Sequence, residues 1–152
     1  MSSDPQTVFA DLHRTIDAAV GARLFTVTVL DRKAKLARRA YTSHPAEYPT
    51  SGVKPMLVDG WSEKVIDRGE TFIANTTDGF SPYFPDHPLI NSLGCHSAMN
   101  LPVIEEGEVI GTVNLLDIEQ HFTPERVERI RSLVEENKPA LVRAMRDTPM
   151  TA

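Results

Sequence analysis

The chain has 152 residues, 41% hydrophobic and 24% charged, with a net charge of −5 at pH 7. That is the size and balance of one ordinary globular domain, long enough to bury a core without a disulfide or a metal. The acidic balance argues against non-specific nucleic-acid binding, which needs a basic surface, and no polybasic run suits an anionic membrane.

At the N-terminus, Ser3 and Asp4 precede Pro5, giving a capping side chain and then a residue whose φ is already set. Val8, Phe9, Leu12, Ile16 and Ala19 follow at helical spacing, and Gly21 stops that helix. Leu24–Asp31, LFTVTVLD, alternates and is rich in β-branched residues, which predicts a strand. Phe25, Val27 and Val29 would face one side, and Leu24, Thr26, Thr28 and Leu30 the other. Arg32–Lys35 is a polar turn, and Leu36–Thr42 returns as the second strand of an antiparallel hairpin.

Ser43–Pro55 carries three prolines and Gly52 and is expected to be a loop, with a short strand at Met56–Val58. Gly60–Arg68 predicts a short helix ended by Gly69, with Trp61, Val65 and Ile66 on its inward stripe. Thr71–Ala74 is a further short strand. Asn75–Pro88 is the most irregular stretch, and Leu89–Leu93 is a helical turn ending at Gly94. Ser97–Asp117, SAMNLPVIEEGEVIGTVNLLD, reads as two alternating strands joined by a tight acidic turn. Thr123-Pro124-Glu125 opens a long helix whose stripe is Val127, Ile130, Val134, Leu141 and Met145, and Pro139 should kink it or divide it in two. Strands that pair locally, with helices at the ends, predict an α+β fold: an antiparallel sheet of five to six strands flanked by helices, in a single domain over 1–152.

No apolar run reaches the about 18 residues a membrane span needs, and MSSDPQTVFADLH has no secretory leader pattern. The single cysteine, Cys95, cannot make an internal disulfide, so a reducing cytoplasmic setting is expected. The histidines are scattered without metal-ligand spacing, and neither a phosphate-cradling glycine loop nor a nucleophile elbow occurs. No metal or cofactor is therefore predicted. Cys95-His96 is the one reactive-looking pair, but neighbours in a strand point to opposite faces. The expectation is a buried cysteine beside a loop-edge histidine, with a thiolate nucleophile at Cys95 as the alternative.

The segment Ser97-Ala98-Met99-Asn100-Leu101-Pro102-Val103, then Gly107, Ile110-Gly111 and Val113–Leu116, resembles the closing hairpin of GAF domains. The Phe122-Thr123-Pro124-Glu125 helix opening and the short helix bearing Trp61 fit the same family, and the likeness runs roughly from Ala10 to Met145. The resemblance implies a GAF/PAS-like (profilin-like) fold and a stand-alone sensory module for signal transduction. It implies a small-molecule pocket roofed by Ser43–Pro55 and Asn75–Gly94, a homodimer through the terminal helices, and a separate output protein.

Within that family, bilin attachment uses a Cys-His pair well upstream of the sheet strand, whereas Cys95 lies two residues before Ser97. Free methionine sulfoxide reduction needs a second, resolving cysteine, which this chain lacks. Asn75 is not followed by the remainder of a cyclic-nucleotide signature. Candidate ligand-contact residues are Tyr41, Trp61, Tyr83, Phe84, Cys95, His96, Ser97, Asn100 and Asn114. Tyr83 and Phe84 read either as a lid or as packing, Trp61 as core first and contact second, and Asn100 and Asn114 as orienting polar groups. Three functions follow: a small-molecule sensor, a thiol-dependent reductase through Cys95, and an interaction module with an empty pocket.

Overall fold

Side-chain alternation decides which residues of each strand share a face, and in this chain it does so with one parity across three strands. The computed structural model describes residues 4–150. After helix α1 (Pro5–Ala19) come β1 (Leu24–Asp31) and β2 (Leu36–Thr42), with the predicted bounds. The hairpin forms β5 (Ser97–Glu105) and β6 (Glu108–Asp117). Two short strands, β3 (Lys54–Pro55) and β4 (Phe72–Ala74), complete a six-stranded antiparallel sheet in the order β3-β2-β1-β6-β5-β4.

Phe25, Val27 and Val29 of β1, Val113 and Leu115 of β6, and Met99, Leu101 and Val103 of β5 all enter the core beneath the helices. There they meet Phe9, Leu12 and Ile16 of α1 and the buried stripes of α5 (Pro124–Glu136) and α6 (Lys138–Asp147). The even-numbered residues face the other way. Asn100 pairs with Asn114, which pairs with Thr26, so three polar side chains lie in one cross-strand row.

Gly111 explains how closely the helical layer sits. A Cβ built there would lie 2.5 Å from the Thr28 carbonyl oxygen and 2.8 Å from the Met145 methyl. Both the neighbouring strand and α6 occupy the space a side chain would need. Pro102 lies past the end of β4, whose pairing with β5 stops at Asn100, and a bulge follows between Val103 and Ile104. Its missing N–H therefore removes no bond to β4.

Pro139 divides the last helix, as expected. Asn137 ends α5 and precedes α6, and its side-chain amide donates to the Leu133 carbonyl at 2.7 Å. Thr123 caps α5 by accepting from the Arg126 amide. At α1 the capping expectation is not met by Asp4, whose side chain makes no cap bond; its backbone carbonyl accepts from Val8 instead, and Ser3 lies outside the described residues.

Other boundaries shift. The short strand expected at Met56–Val58 forms at Lys54–Pro55 instead. The Met56 amide donates to the Lys35 carbonyl and ends the pairing, leaving Leu57 and Val58 70% and 97% exposed. The helix expected over Gly60–Arg68 is α-helical only at α2 (Gly60–Ser62), where Asp59 and Ser62 cap one another. From Glu63 to Asp67 it widens to a π-turn, with the Arg68 amide bonded to the Glu63 carbonyl five residues back. The irregular stretch contains α3 (Thr77–Phe80), and α4 (His87–Ser92) starts earlier than Leu89 because Pro88 is harmless in a first turn.

Candidate functional site

The even-numbered sheet face is not covered by the long helices α1, α5 and α6. Loops, α2 and the irregular stretch arch over it and leave a cleft of about 470 Å³. Its floor is Thr26, Thr28, Thr112, Asn100 and Asn114; its walls include Trp61, Ile66, Tyr83, Phe84 and Leu116. Grooves along α5 and α6 instead carry surface charges such as Glu105, Arg143 and Arg146.

A continuous chain of hydrogen bonds crosses the floor. Trp61 Nε1 donates to Asn100 Oδ1 at 2.9 Å, and Asn100 Nδ2 donates to Asn114 Oδ1 at 2.7 Å. Asn114 Nδ2 then donates to the hydroxyls of Thr26 and Thr28, each at 3.1 Å. Asn100, Asn114 and Thr26 are all buried, so these bonds offset the cost of removing their polar atoms from water. Trp61 is partly buried: its ring forms part of the cleft wall and its N–H begins the network.

The roof is tied across the cleft. Tyr48, in the loop after β2, donates to Asp86 ahead of α4 at 2.5 Å. The Arg39 guanidinium lies 3.9 Å from the Tyr48 ring centroid and donates to the Pro49 carbonyl. Tyr83 and Phe84 pack on Phe72, so they serve as packing and as cleft wall together.

Of the nine sequence-derived candidates, Trp61, Tyr83, Phe84, Asn100 and Asn114 line this cleft. The other four lie elsewhere. Tyr41 is opposite Val27, because a bulge in the β1–β2 pairing shifts the register, and it packs on Phe25 and Phe9 under the helices. Cys95 is 0% exposed among Leu24, Phe80, Ile90 and Ala98. Burial, with a smaller contribution from the Asp117 carboxylate, pushes its thiol up to about 11, against a weaker opposing effect of Arg23. The His96 side chain is exposed and lies near Thr77 and Asn91, while Ser97 Oγ donates to the Ile118 carbonyl at 2.7 Å and closes the strand end.

Sequence reasoning missed Tyr48, Asp86 and Arg39, whose meeting joins distant loops without a local signal. It placed Thr26 and Thr28 on the correct face but did not single them out. Among the described residues no group of three or more His, Cys, Asp or Glu side chains could hold a metal. Cys95 is the chain's one cysteine, so no disulfide-forming partner exists within it. Among the described residues no helix is long and apolar enough to cross a membrane.

This architecture, a helix-backed antiparallel sheet with a loop-roofed polar floor, defines a small α+β domain. The GAF domain family model matches residues 2–137, and the chain belongs to that family. Solved structures agree in fold. A GAF domain/HD domain protein from Geobacter sulfurreducens is 15% identical, with 97% of this chain and 98% of that one covered and a TM-score of 0.74. The GAF domain of a two-component sensor histidine kinase from Bacillus halodurans is 10% identical, covering 90% and 92% at a TM-score of 0.72. Free methionine-R-sulfoxide reductase from Neisseria meningitidis, in complex with its substrate, is 16% identical, covering 93% and 83% at a TM-score of 0.58. No curated protein matches the chain in sequence.

Proposed function

We propose that this GAF domain is a non-enzymatic sensory module that binds a small organic molecule in the cleft over β1, β6 and β5. The observation that carries this reading is the combination of a cleft of about 470 Å³ with a floor on which Asn100, Asn114, Thr26 and Thr28 are held in one hydrogen-bond chain. A collapsed interaction module would fill that space with apolar side chains. Ligand binding would be felt by both roof segments, since Tyr48 and Asp86 line the cleft and bond to each other.

A thiol-dependent reaction fits less well, because Cys95 is buried outside the cleft and its thiol is held protonated. A homodimer through the terminal helices belongs to the same reading, but it would not rest on large exposed apolar side chains. The large exposed apolar side chains among the described residues are Leu57, Val58, Ile73, Leu89, Ile104 and Ile118, none of them on α1, α5 or α6.

A thermal-shift and native mass-spectrometry screen across metabolite classes tests the sensor reading. A ligand at 100 times its Kd adds about 2.7 kcal/mol of stability. Absence of any shift or adduct across all classes overturns it. Light scattering during gel filtration reports the oligomeric state.

A further inference from the structure

The indole N–H of Trp61 can only donate, and this fixes the sense of every bond after it. Asn100 must turn its carbonyl oxygen to Trp61, so its amide nitrogen faces Asn114. Asn114 then spends its own oxygen on Asn100 and directs its amide hydrogens at Thr26 and Thr28. Both threonine hydroxyls accept, and among the described residues neither donates to a protein atom. Each therefore has a hydrogen unspent.

Thr112 gives an independent sign of the same demand. It lines the cleft directly opposite Thr28 across the β1–β6 pairing, it is 1% exposed, and its hydroxyl has no partner among the described residues. A buried unpaired hydroxyl is destabilising, and a 120° rotation about Cα–Cβ carries it to the position now held by the methyl group. Three hydroxyls thus cluster in two adjacent cross-strand rows with hydrogens to give.

Resting on the ligand-binding reading above, we propose that the cleft selects small molecules that present a carbonyl or carboxylate oxygen to Thr26, Thr28 and Thr112, with an apolar body against Leu30, Ile66 and Leu116. The acidic residues of the lining are already engaged: Asp59 accepts from the Ser62 amide and Asp86 from Tyr48. Those two carboxylates keep their charge but are outnumbered in the lining by Arg38, Arg39 and Lys54, which favours an oxygen acceptor over an ammonium group.

Three probes with one aromatic body separate the possibilities: phenylacetate, phenylacetamide and phenethylamine, titrated while following the fluorescence of Trp61, the chain's single tryptophan. Phenylacetate and phenylacetamide should bind and phenethylamine should not; their affinity ratio tells whether full charge matters. Thr112→Val should keep or raise the melting temperature of the free protein while weakening phenylacetate about tenfold, the loss expected for about one hydrogen bond. Equal binding of phenethylamine, or unchanged affinity in Thr112→Val, overturns the oxygen-acceptor selectivity and leaves the ligand-binding reading standing. Silence from all three probes also overturns this selectivity; the wider metabolite screen then decides separately whether the cleft binds ligands at all.

Discussion

Tyr48 and Asp86, 38 residues apart, are joined by a 2.5 Å hydrogen bond that spans the roof of the cleft. Burial raises the Tyr48 phenol above its ordinary value, with Arg39 opposing, so the hydroxyl stays a donor through neutral pH. Tyr48→Phe keeps the ring under Arg39 and removes the hydroxyl that bonds Asp86. It should cost about 1–2 kcal/mol, and amide exchange should quicken in both roof segments while the sheet is unchanged. Hydrogen-exchange mass spectrometry reads both halves of that expectation.

Gly111→Ala should be the most damaging small substitution in the sheet. The new methyl meets the Thr28 carbonyl, a backbone atom that cannot swing away, as well as Met145. A loss of about 2–3 kcal/mol is expected in urea unfolding. Gly107→Ala is the control: nothing lies within 4 Å, but φ is +78°, so the cost should be about 1–2 kcal/mol from conformation alone.

The Cys95 thiol gives a pH dependence with a definite sign. Its folded value, about 11, is above its ordinary value of 9.0, so the folded state holds the proton more tightly. The contribution is complete below pH 9.0 and is lost as pH rises toward about 11, amounting to about 2–3 kcal/mol. Cys95→Ala should flatten this part of the stability profile. Ellman's reagent should label the native protein slowly at neutral pH and the urea-unfolded protein at once.

Asn100→Ala breaks the floor at its centre, leaving Trp61 Nε1 and Asn114 Oδ1 without their partners. A loss of about 2–3 kcal/mol is expected, with a red shift of Trp61 emission as water reaches the indole. Combined with Asn114→Ala, the cost should fall short of the sum, since both changes cut one network. Emission spectra and a double-mutant cycle test this.

The strongly alternating segments were legible in the sequence because their pattern is local. β1, β2, β5 and β6 follow from it. Alternation also put Asn100 and Asn114 on the cleft face. Tyr41 is a different case: the register shift between Val27 and Thr28 alters the count along β2 by one residue and turns the ring under the helices. Met56–Val58 looked like a strand by composition, but an edge strand ends where its partner's carbonyls end. The Tyr48–Asp86 tie and the unpaired hydroxyl of Thr112 depend on distant segments meeting, and no spacing in the chain encodes them.

The donor-only indole at the head of the floor works as a polarity lock. While Trp61 is seated, both asparagine amides are held to one orientation and the threonines offer hydrogens. Withdraw α2 by the length of one bond and that constraint is gone. The two amides are then free to turn over in concert, and the same floor would offer lone pairs instead. A displacement of one short helix would thereby rewrite what the cleft recognises without moving a strand.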